Sequence, residues 1–298
     1  PRPRRNLARL ELLGSGLCFG LMAVLARKLS REPGGFTAGH LSVVRFAVGV
    51  LVSLAVFQRR PGLYRPHNYR LLVSRGISGG LVVVLYFMAL SRIPAGEAGL
   101  LYNLFPVIAT VMSLFAFGER PTAHLWLGLG LATAGVALVL GGEGSLSLGL
   151  GPGEALALGA AVFGATSANI IRGMRGTDNA PTIFFFFCLA GLPVVAPFAL
   201  DPWPSATGPW ALAALMGLAA FAAQVLMTEA YGTLSVPEAA GWLQLTPIAQ
   251  VLLAVPLLGE PVSAVAMTGV LVGVAGVAYG SVLGHRPPAG APAPGPPP

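Results

Sequence analysis

The sequence predicts an all-α polytopic membrane protein with ten transmembrane helices, arranged as two inverted five-helix repeats with both termini in the cytoplasm. Three observations carry this prediction. Hydrophobic residues make up 55% of the 298 residues and charged residues only 10%, whereas soluble domains carry about 25% charged residues. Ten apolar stretches of roughly membrane-spanning length follow one another. One pattern of residues also occurs twice, at a constant offset.

The ten apolar segments are separated by short links that hold most of the Pro, Gly and charged residues, as expected for tight helical hairpins. The segments lie at about 10–29, 37–57, 69–91, 96–117, 122–141, 153–171, 181–199, 208–232, 237–258 and 262–284. We therefore divide the chain into a basic tail (1–9), a first repeat (10–142), a second repeat (143–285) and a Pro/Ala-rich tail predicted to be disordered (286–298).

The repeated pattern centres on the fourth and ninth segments. Its members in the two copies are separated by 141 residues and are Ala89, Glu97, Pro106, Gly118 and Glu119, then Ala230, Glu238, Pro247, Gly259 and Glu260. The same offset relates Gly128 to Gly269 and Gly135 to Gly276. Five spans per copy is an odd number, so the second copy must enter the membrane from the opposite side. Inverted repeats of this kind are typical of secondary transporters, with the binding site near the midplane between the halves.

Charge indicates the orientation and argues against a nucleic-acid partner. The net charge is +7, but the basic residues lie in short links, where membrane orientation explains them. Twelve Lys and Arg lie on the side of the two termini and four on the other side, which places both termini in the cytoplasm. Cys18 and Cys188 lie inside apolar runs, so neither a disulfide framework nor a metal site is expected.

No motif of an enzyme or an ATP-driven pump is present. The chain contains no GxxxxGK[ST] phosphate loop, no HExxH and no Ser-His-Asp arrangement or paired catalytic carboxylates. We therefore expect no cofactor and no catalysis.

Two prolines interrupt the repeated segments. Pro106 and Pro247 lack an N–H, which leaves the carbonyl four residues earlier without its helical partner, so both are predicted helix hinges. Beside them Asn103 and Gln244 occupy equivalent positions. Taken singly, either amide could equally form a hydrogen bond between helices. Their recurrence beside the prolines favours a shared cavity wall.

Charged side chains within the apolar segments are expensive in lipid and are candidates for function. Glu229 could bind an amino group, could titrate during transport, or could be an interfacial acid near a helix end. Arg45 requires a carboxylate partner or a path to the interface, and we interpret it as a structural or gating charge rather than a ligand. Arg75 is interpreted as interfacial, and the run 184–187 of four Phe residues as a lipid contact.

Further candidates for the cavity wall carry an aromatic ring or an amide. Each could equally be a core residue with its polar tip satisfied, and they are Tyr86, Tyr102, Asn169, Gln224 and Trp242. Four glutamates near helix starts are interpreted as partners of helix dipoles, namely Glu97, Glu119, Glu238 and Glu260.

Taken together, these features resemble the drug/metabolite transporter superfamily, and within it the EamA-type ten-helix transporters. The resemblance covers about residues 10–284 and rests on the paired alanines, the Pro-x11-Gly-Glu stretches and the Arg of the second segment. The second copy lacks the residue between Glu260 and Pro261, and the seventh segment has no counterpart of Arg45. The resemblance implies an inner-membrane carrier with a central cavity and alternating access. It also implies efflux of amino acids or other small metabolites, often coupled to protons.

The leading hypothesis is therefore an exporter of small metabolites, namely amino acids or related compounds. Its expected partners are the small-molecule substrate, the surrounding membrane lipid and protons as a candidate coupling ion. A carrier for a vitamin, nucleoside or drug-like compound is an alternative. A non-transporting scaffold or lipid-handling protein is another, and it predicts no aqueous cavity between Glu229, Asn103 and Gln244.

Overall fold

A computed structural model describes residues 2–31, 35–93, 95–141, 151–259 and 262–283. The regular structure of these residues is entirely helical, which confirms the predicted all-α class. The α-helices are α1 (Arg2–Arg31), α2 (Ala38–Arg59), α3 (Tyr69–Leu90), α4 (Ala95–Tyr102), α5 (Phe105–Phe117), α6 (Ala123–Gly141), α7 (Pro152–Met174), α8 (Ala180–Val195), α9 (Gly208–Ala230), α10 (Val236–Leu243), α11 (Leu245–Leu258) and α12 (Ala264–Leu283). Short 3-10 turns follow α2 at Pro61–Leu63 and α8 at Ala196–Phe198.

Within the described ranges the helices form ten candidate membrane spans, which match the ten predicted segments. The main difference is at the N-terminus, where α1 begins at Arg2, so the residues predicted as a basic tail continue the first span as a helix. The predicted repeat boundary at residues 142 and 143 and the predicted tail 286–298 lie outside the described residues.

The fourth and ninth spans are each made of two helices. The fourth breaks between Tyr102 and Phe105, and the ninth breaks at Gln244. Pro106 lies at the start of α5 and Pro247 in the first turn of α11, where the missing N–H removes no hydrogen bond from the new helix. The break therefore precedes each proline.

The two broken spans also end in the same way. α5 is terminated by Gly118 with φ 63° and α11 by Gly259 with φ 68°. This left-handed conformation is strained for a residue with a Cβ, which explains a glycine at both positions. The repeated sequence pattern thus produces repeated local structure.

The last helices of the two repeats, α6 and α12, cross at glycines. A Cβ added to Gly135 would lie 2.6 Å from the carbonyl oxygen of Gly269, and one added to Gly269 would lie 2.6 Å from that of Gly135. Gly128 and Gly276 are related in the same reciprocal way, at 2.8 Å. Early residues of α6 meet late residues of α12, so the helices run antiparallel. Small residues permit this close backbone approach in lipid.

The four phenylalanines at the centre of α8 are buried, so the interpretation as a lipid contact was wrong. Their exposed fractions lie between 2% and 8%, because α8 is surrounded by α2, α3 and α9. Phe187 lies 5.0 Å from the Phe46 ring of α2, Phe184 lies 5.1 Å from Phe221 of α9, and Phe186 lies 5.7 Å from Tyr69 of α3. A helix that is apolar on every face packs inside a bundle rather than at its surface.

Candidate functional site

The two broken spans meet at the equivalent residues Asn103 and Gln244. The Gln244 Nε2 donates to the backbone oxygen of Asn103 at 3.4 Å and to Thr133 Oγ1 at 2.9 Å. The Asn103 side chain donates to the Gly99 carbonyl at 2.8 Å. Gln244 has no exposed surface, and its Oε1 has no hydrogen-bond partner among the described residues. The Gln244 amide therefore joins the halves through the Asn103 backbone and Thr133, and its Oε1 is a buried acceptor without a described partner.

Two of the predicted aromatic residues lie together beside this junction. The ring centroids of Tyr86 and Tyr102 are 5.2 Å apart, and Tyr102 stacks on Phe105 at 5.3 Å. All three rings are half-buried. Tyr102 is the last residue of α4, so the aromatic cluster lies at the break in the fourth span.

The sequence predicted an interfacial position for Arg75, and this prediction was wrong. Arg75 lies inside the bundle with an exposed fraction of 4%. Its Nη2 donates to Gln224 Oε1 of α9 at 3.1 Å, and its Nη1 donates to Ser167 Oγ of α7 at 3.4 Å. Ser167 in turn lies 2.7 Å from the hydroxyl of Ser78. Three helices therefore converge on this guanidinium, and all of its described side-chain partners are neutral.

Arg45 joins the same cluster from α2. Its Cζ lies 5.9 Å from the ring centroid of Phe187, while the Cζ of Arg75 lies 4.1 Å from the same centroid. The two guanidinium carbons are therefore at most about 10 Å apart, the sum of these distances. Arg45 is half-buried, and its Nε has no hydrogen-bond partner among the described residues. The sequence predicted either a carboxylate partner or a path to the interface for Arg45, and no carboxylate is paired with it among the described side chains.

Asn169 and Trp242 lie on helices that border the junction. The Asn169 Nδ2 donates to the Ala109 carbonyl of α5 at 3.2 Å, and its Oδ1 is buried without a described partner. The Trp242 Nε1 is likewise buried without a described partner. Trp242 lines a cavity of about 10 Å³ together with Glu238 and Gly276. That volume is room for about one water molecule rather than a metabolite.

Glu229 lies apart from the arginine cluster, at the C-terminal end of α9. Its Oε2 accepts a hydrogen bond from the Arg175 Nη2 at 2.7 Å. The Glu229 side chain is 39% exposed and that of Arg175 is 14% exposed. An amine would have to replace Arg175 in order to bind this carboxylate.

Two further carboxylates connect the halves at the end of the bundle that carries the N-terminus. Glu119 accepts from the Arg172 Nε at 3.4 Å and from the backbone N–H of Val236 at 2.9 Å. Glu238 accepts from Arg5 at 2.9 Å and from Arg9 at 3.1 Å. Glu238 lies in the first turn of α10, where it also complements the helix dipole. The side chains of Glu97 and Glu260 lie outside the described residues.

The predicted site residues therefore fall into separate groups. Tyr86 lies with Tyr102, and Asn103 lies with Gln244. Arg45 lies near Phe187, whereas Glu229 is paired elsewhere with Arg175. The sequence argument misplaced Arg75 and did not single out Ser78 and Ser167. The signal in the sequence was the set of three glycines after Arg75, since small residues mark a surface where helices pack closely. In the structure, positions 76, 79 and 80 all pack against α8.

Within the described ranges no group of three or more His, Cys, Asp or Glu side chains could hold a metal. Two arginines with only neutral described partners instead present N–H donors, the geometry that recognises carboxylates and phosphates.

Comparison with known proteins identifies the family of this chain. The model of the EamA-like transporter family matches residues 7–141 and again residues 151–281. The pseudopaline exporter CntI of Pseudomonas aeruginosa, in strains PAO1 and UCBPP-PA14, is 25% identical over 230 residues, which cover 74% of this chain and 80% of that protein. A solved crystal structure with 22% sequence identity covers 94% of this chain and 98% of its own, with a TM-score of 0.81. The last comparison shows a shared fold.

Proposed function

The chain belongs to the EamA-like transporter family, and from this premise we propose that it exports amino acids or related metabolites across the inner membrane by alternating access. It is a multi-pass membrane transporter of small molecules rather than an enzyme. The proposed direction of transport agrees with the exporter among its relatives.

The observation that carries the proposal is the meeting of two broken spans at Asn103 and Gln244. Non-helical backbone at membrane depth is tolerated only inside the protein or along a water-filled cavity. Transporters place such breaks at the interface of their repeats, where the substrate binds. A passive scaffold gains nothing from breaking two equivalent spans.

An inverted relationship between the halves is part of the proposal. It is supported by the antiparallel crossing of α6 and α12 and by its reciprocal glycine contacts, since a two-fold axis relates each contact to its counterpart. In our proposal the halves rock around the central site, with Pro106 and Pro247 as hinges.

We assign substrate contact to the predicted residues that border this junction. They are Tyr86, Tyr102, Asn103, Asn169, Trp242 and Gln244. The unpartnered atoms of Gln244, Asn169 and Trp242 support the assignment, because buried polar atoms normally have partners and a substrate or water can supply them. Glu229 remains a candidate for binding an amino group or for proton coupling.

The ion pairs at the N-terminal end are assigned to closure of the protein on that side. The basic links predict that this is the cytoplasmic side. Glu119 and Glu238 each receive donors from distant parts of the chain, and opening this end would break those bonds.

Uptake and efflux of a panel of labelled amino acids in proteoliposomes, with and without a pH gradient, tests the proposal. The variants are Glu229→Gln and, as a matched control, Asp201→Asn, which removes an exposed acid outside the helices. We expect saturable transport by the wild type and the control. Loss of its pH dependence in Glu229→Gln assigns coupling or amine binding to that residue, whereas unchanged transport makes Glu229 structural.

Failure to transport any panel member removes amino acids as the substrate class. A cysteine at position 103, in a background without Cys18 and Cys188, then separates a carrier from a scaffold. A carrier exposes this position to a water-soluble thiol reagent during its cycle. Complete protection under every condition contradicts the carrier proposal.

A further inference from the structure

We propose that the substrate carries a carboxylate, and that Arg45 and Arg75 bind this group beside the Phe187 ring. The inference rests on the proposed transport function and specifies its substrate class. It assigns ligand roles to a residue interpreted from sequence as a gating or structural charge and to a residue interpreted as interfacial.

Arg45 and Arg75 carry positive charges that no described carboxylate balances. Arginine keeps its positive charge in proteins, and a buried charge without a counter-charge is strongly unfavourable in a membrane-spanning bundle. The ion pairs found among the described residues all lie at the N-terminal end of the bundle and involve Glu119, Glu229 and Glu238. In the described part of the chain, neither Arg45 nor Arg75 contacts a carboxylate. The guanidinium groups of Arg45 and Arg75 thus lie within about 10 Å of each other without a described counter-charge.

The second step concerns the hydrogen bonds of Arg75. Of the five N–H groups of a guanidinium, Arg75 uses two, toward Gln224 and Ser167. Its Nε is buried and has no described partner. The neutral partners fix the orientation of the guanidinium without cancelling its charge, as expected of a preorganised ligand site.

The third step concerns the surroundings. The Arg75 guanidinium lies over the face of Phe187 at 4.1 Å, within the range of a cation–π contact. Arg45 is half-buried, and in our proposal the substrate approaches the cluster from its side. Tyr102 packs with Tyr86 and Phe105 at the break in the fourth span, and we expect these rings to contact the apolar part of the substrate. A cation beside an aromatic ring suits a small organic acid.

The composition of this cluster favours a carboxylate over a phosphate. A guanidinium fork matches either group, but many phosphate sites add a lysine or a row of backbone N–H groups. The single lysine of the chain, Lys28, lies near the end of α1. Inorganic phosphate is therefore a competing probe in the test below.

The test measures the thermal unfolding midpoint of the purified full-length protein in detergent. The probes are L-phenylalanine, L-histidine, L-glutamate and succinate, each compared with the derivative whose carboxylates are amides. Chloride and inorganic phosphate serve as anion controls. A ligand that binds only the folded state raises the midpoint. We expect at least one carboxylate to raise it, and its amide to have no effect.

The variants are Arg45→Gln and Arg75→Gln, with Arg59→Gln as the control, because Arg59 is an exposed arginine of the same helix as Arg45. We expect each buried-site variant to weaken the apparent affinity for the carboxylate by about 30-fold or more. The control should keep the wild-type value. Arg45→Lys and Arg75→Lys keep the charge, so they serve if the Gln variants do not fold, and they should keep the preference for carboxylate over amide with weaker binding.

Four results overturn the inference: equal effects of carboxylate and amide, full effects in both Gln variants, equal effects of chloride or phosphate, or no effect of any carboxylate probe. Counterflow in proteoliposomes separates this outcome from failure of the proposed function. If carboxylates raise the unfolding midpoint but no transport occurs, only the transport proposal is contradicted. If the amides are transported saturably and carboxylates do not raise the midpoint, only the carboxylate site is contradicted.

Discussion

The close crossing of α6 and α12 yields a quantitative prediction for Gly135→Ala. A Cβ at this position would lie 2.6 Å from the Gly269 carbonyl oxygen, and ordinary contacts begin at 3.4 Å. Both helices present backbone here, so no flexible side chain can move aside. The added Cβ would also lie 2.5 Å from the Gly273 Cα, so the helices must separate by roughly 0.9 Å or more, which weakens the dispersion contacts around the crossing. Overpacking of this kind costs about 1–3 kcal/mol.

The same substitution at Gly130 of α6 is the matched control. A Cβ at Gly130 meets no atom within 4 Å, and the residue is exposed. Ala is a better helix former than Gly by up to about 1 kcal/mol, so Gly130→Ala should be neutral or slightly stabilising. The same gain in helix propensity applies to Gly135→Ala, so the two variants should differ by the cost of overpacking alone, about 1–3 kcal/mol in the free energy of unfolding.

Thermal unfolding of both variants in the same detergent measures this difference. About 2–4 °C per kcal/mol is expected for a chain of this size, so Gly135→Ala should melt several degrees below Gly130→Ala. Gly269→Ala should reproduce the loss seen in Gly135→Ala, since each glycine faces the carbonyl oxygen of the other at the same distance. Equal midpoints for Gly135→Ala and Gly130→Ala would refute the close crossing.

Two further predictions concern the closing contacts and the arginine cluster. Glu119→Ala removes an ion pair and the acceptor of the Val236 N–H, and should cost about 1–3 kcal/mol in thermal unfolding. Glu119→Gln should cost less because its amide oxygen still accepts the N–H, and equal losses would contradict this role. Gly79→Ala places a Cβ 2.6 Å from the Arg75 Nη1 and should weaken carboxylate binding in the same stabilisation assay. Gly130→Ala, which meets no neighbour, is its control, and unchanged binding in Gly79→Ala would contradict the described position of Arg75.

The positions of the spans were predictable because they depend on local properties. Apolar length fixes where a helix can cross a membrane, and a proline fixes where a helix cannot continue backwards. The constant offset also predicted that Asn103 and Gln244 occupy equivalent places, and the structure joins them by a hydrogen bond. The start of α1 was missed because its basic residues resemble a tail, whereas Arg5 and Arg9 bind Glu238 across the bundle.

The partners of the charged residues were not predictable, because partnership depends on which helix faces which. Arg75 was placed at the interface on the basis of its position along the segment, but its surroundings are set by α7, α8 and α9. Glu229 was unusual in sequence, yet its partner Arg175 lies in a link 54 residues earlier. The hydropathy of a segment does not show whether a charged side chain lies at the membrane interface or faces the interior of the helix bundle.

The hydrogen bond between Asn103 and Gln244 also bears on how the two halves can diverge. In a symmetric dimer of identical half-size chains, a residue at the two-fold axis meets its own copy, so any substitution changes both partners at once. A single fused chain removes that restriction, because each member of the pair is encoded separately. The first half can then hold Asn103 where the second holds Gln244. In the same way, the first half holds Arg45 where the second holds Phe186. In the proposed transporter, duplication followed by fusion would combine a symmetric frame with an asymmetric interior, which suits the recognition of an asymmetric metabolite.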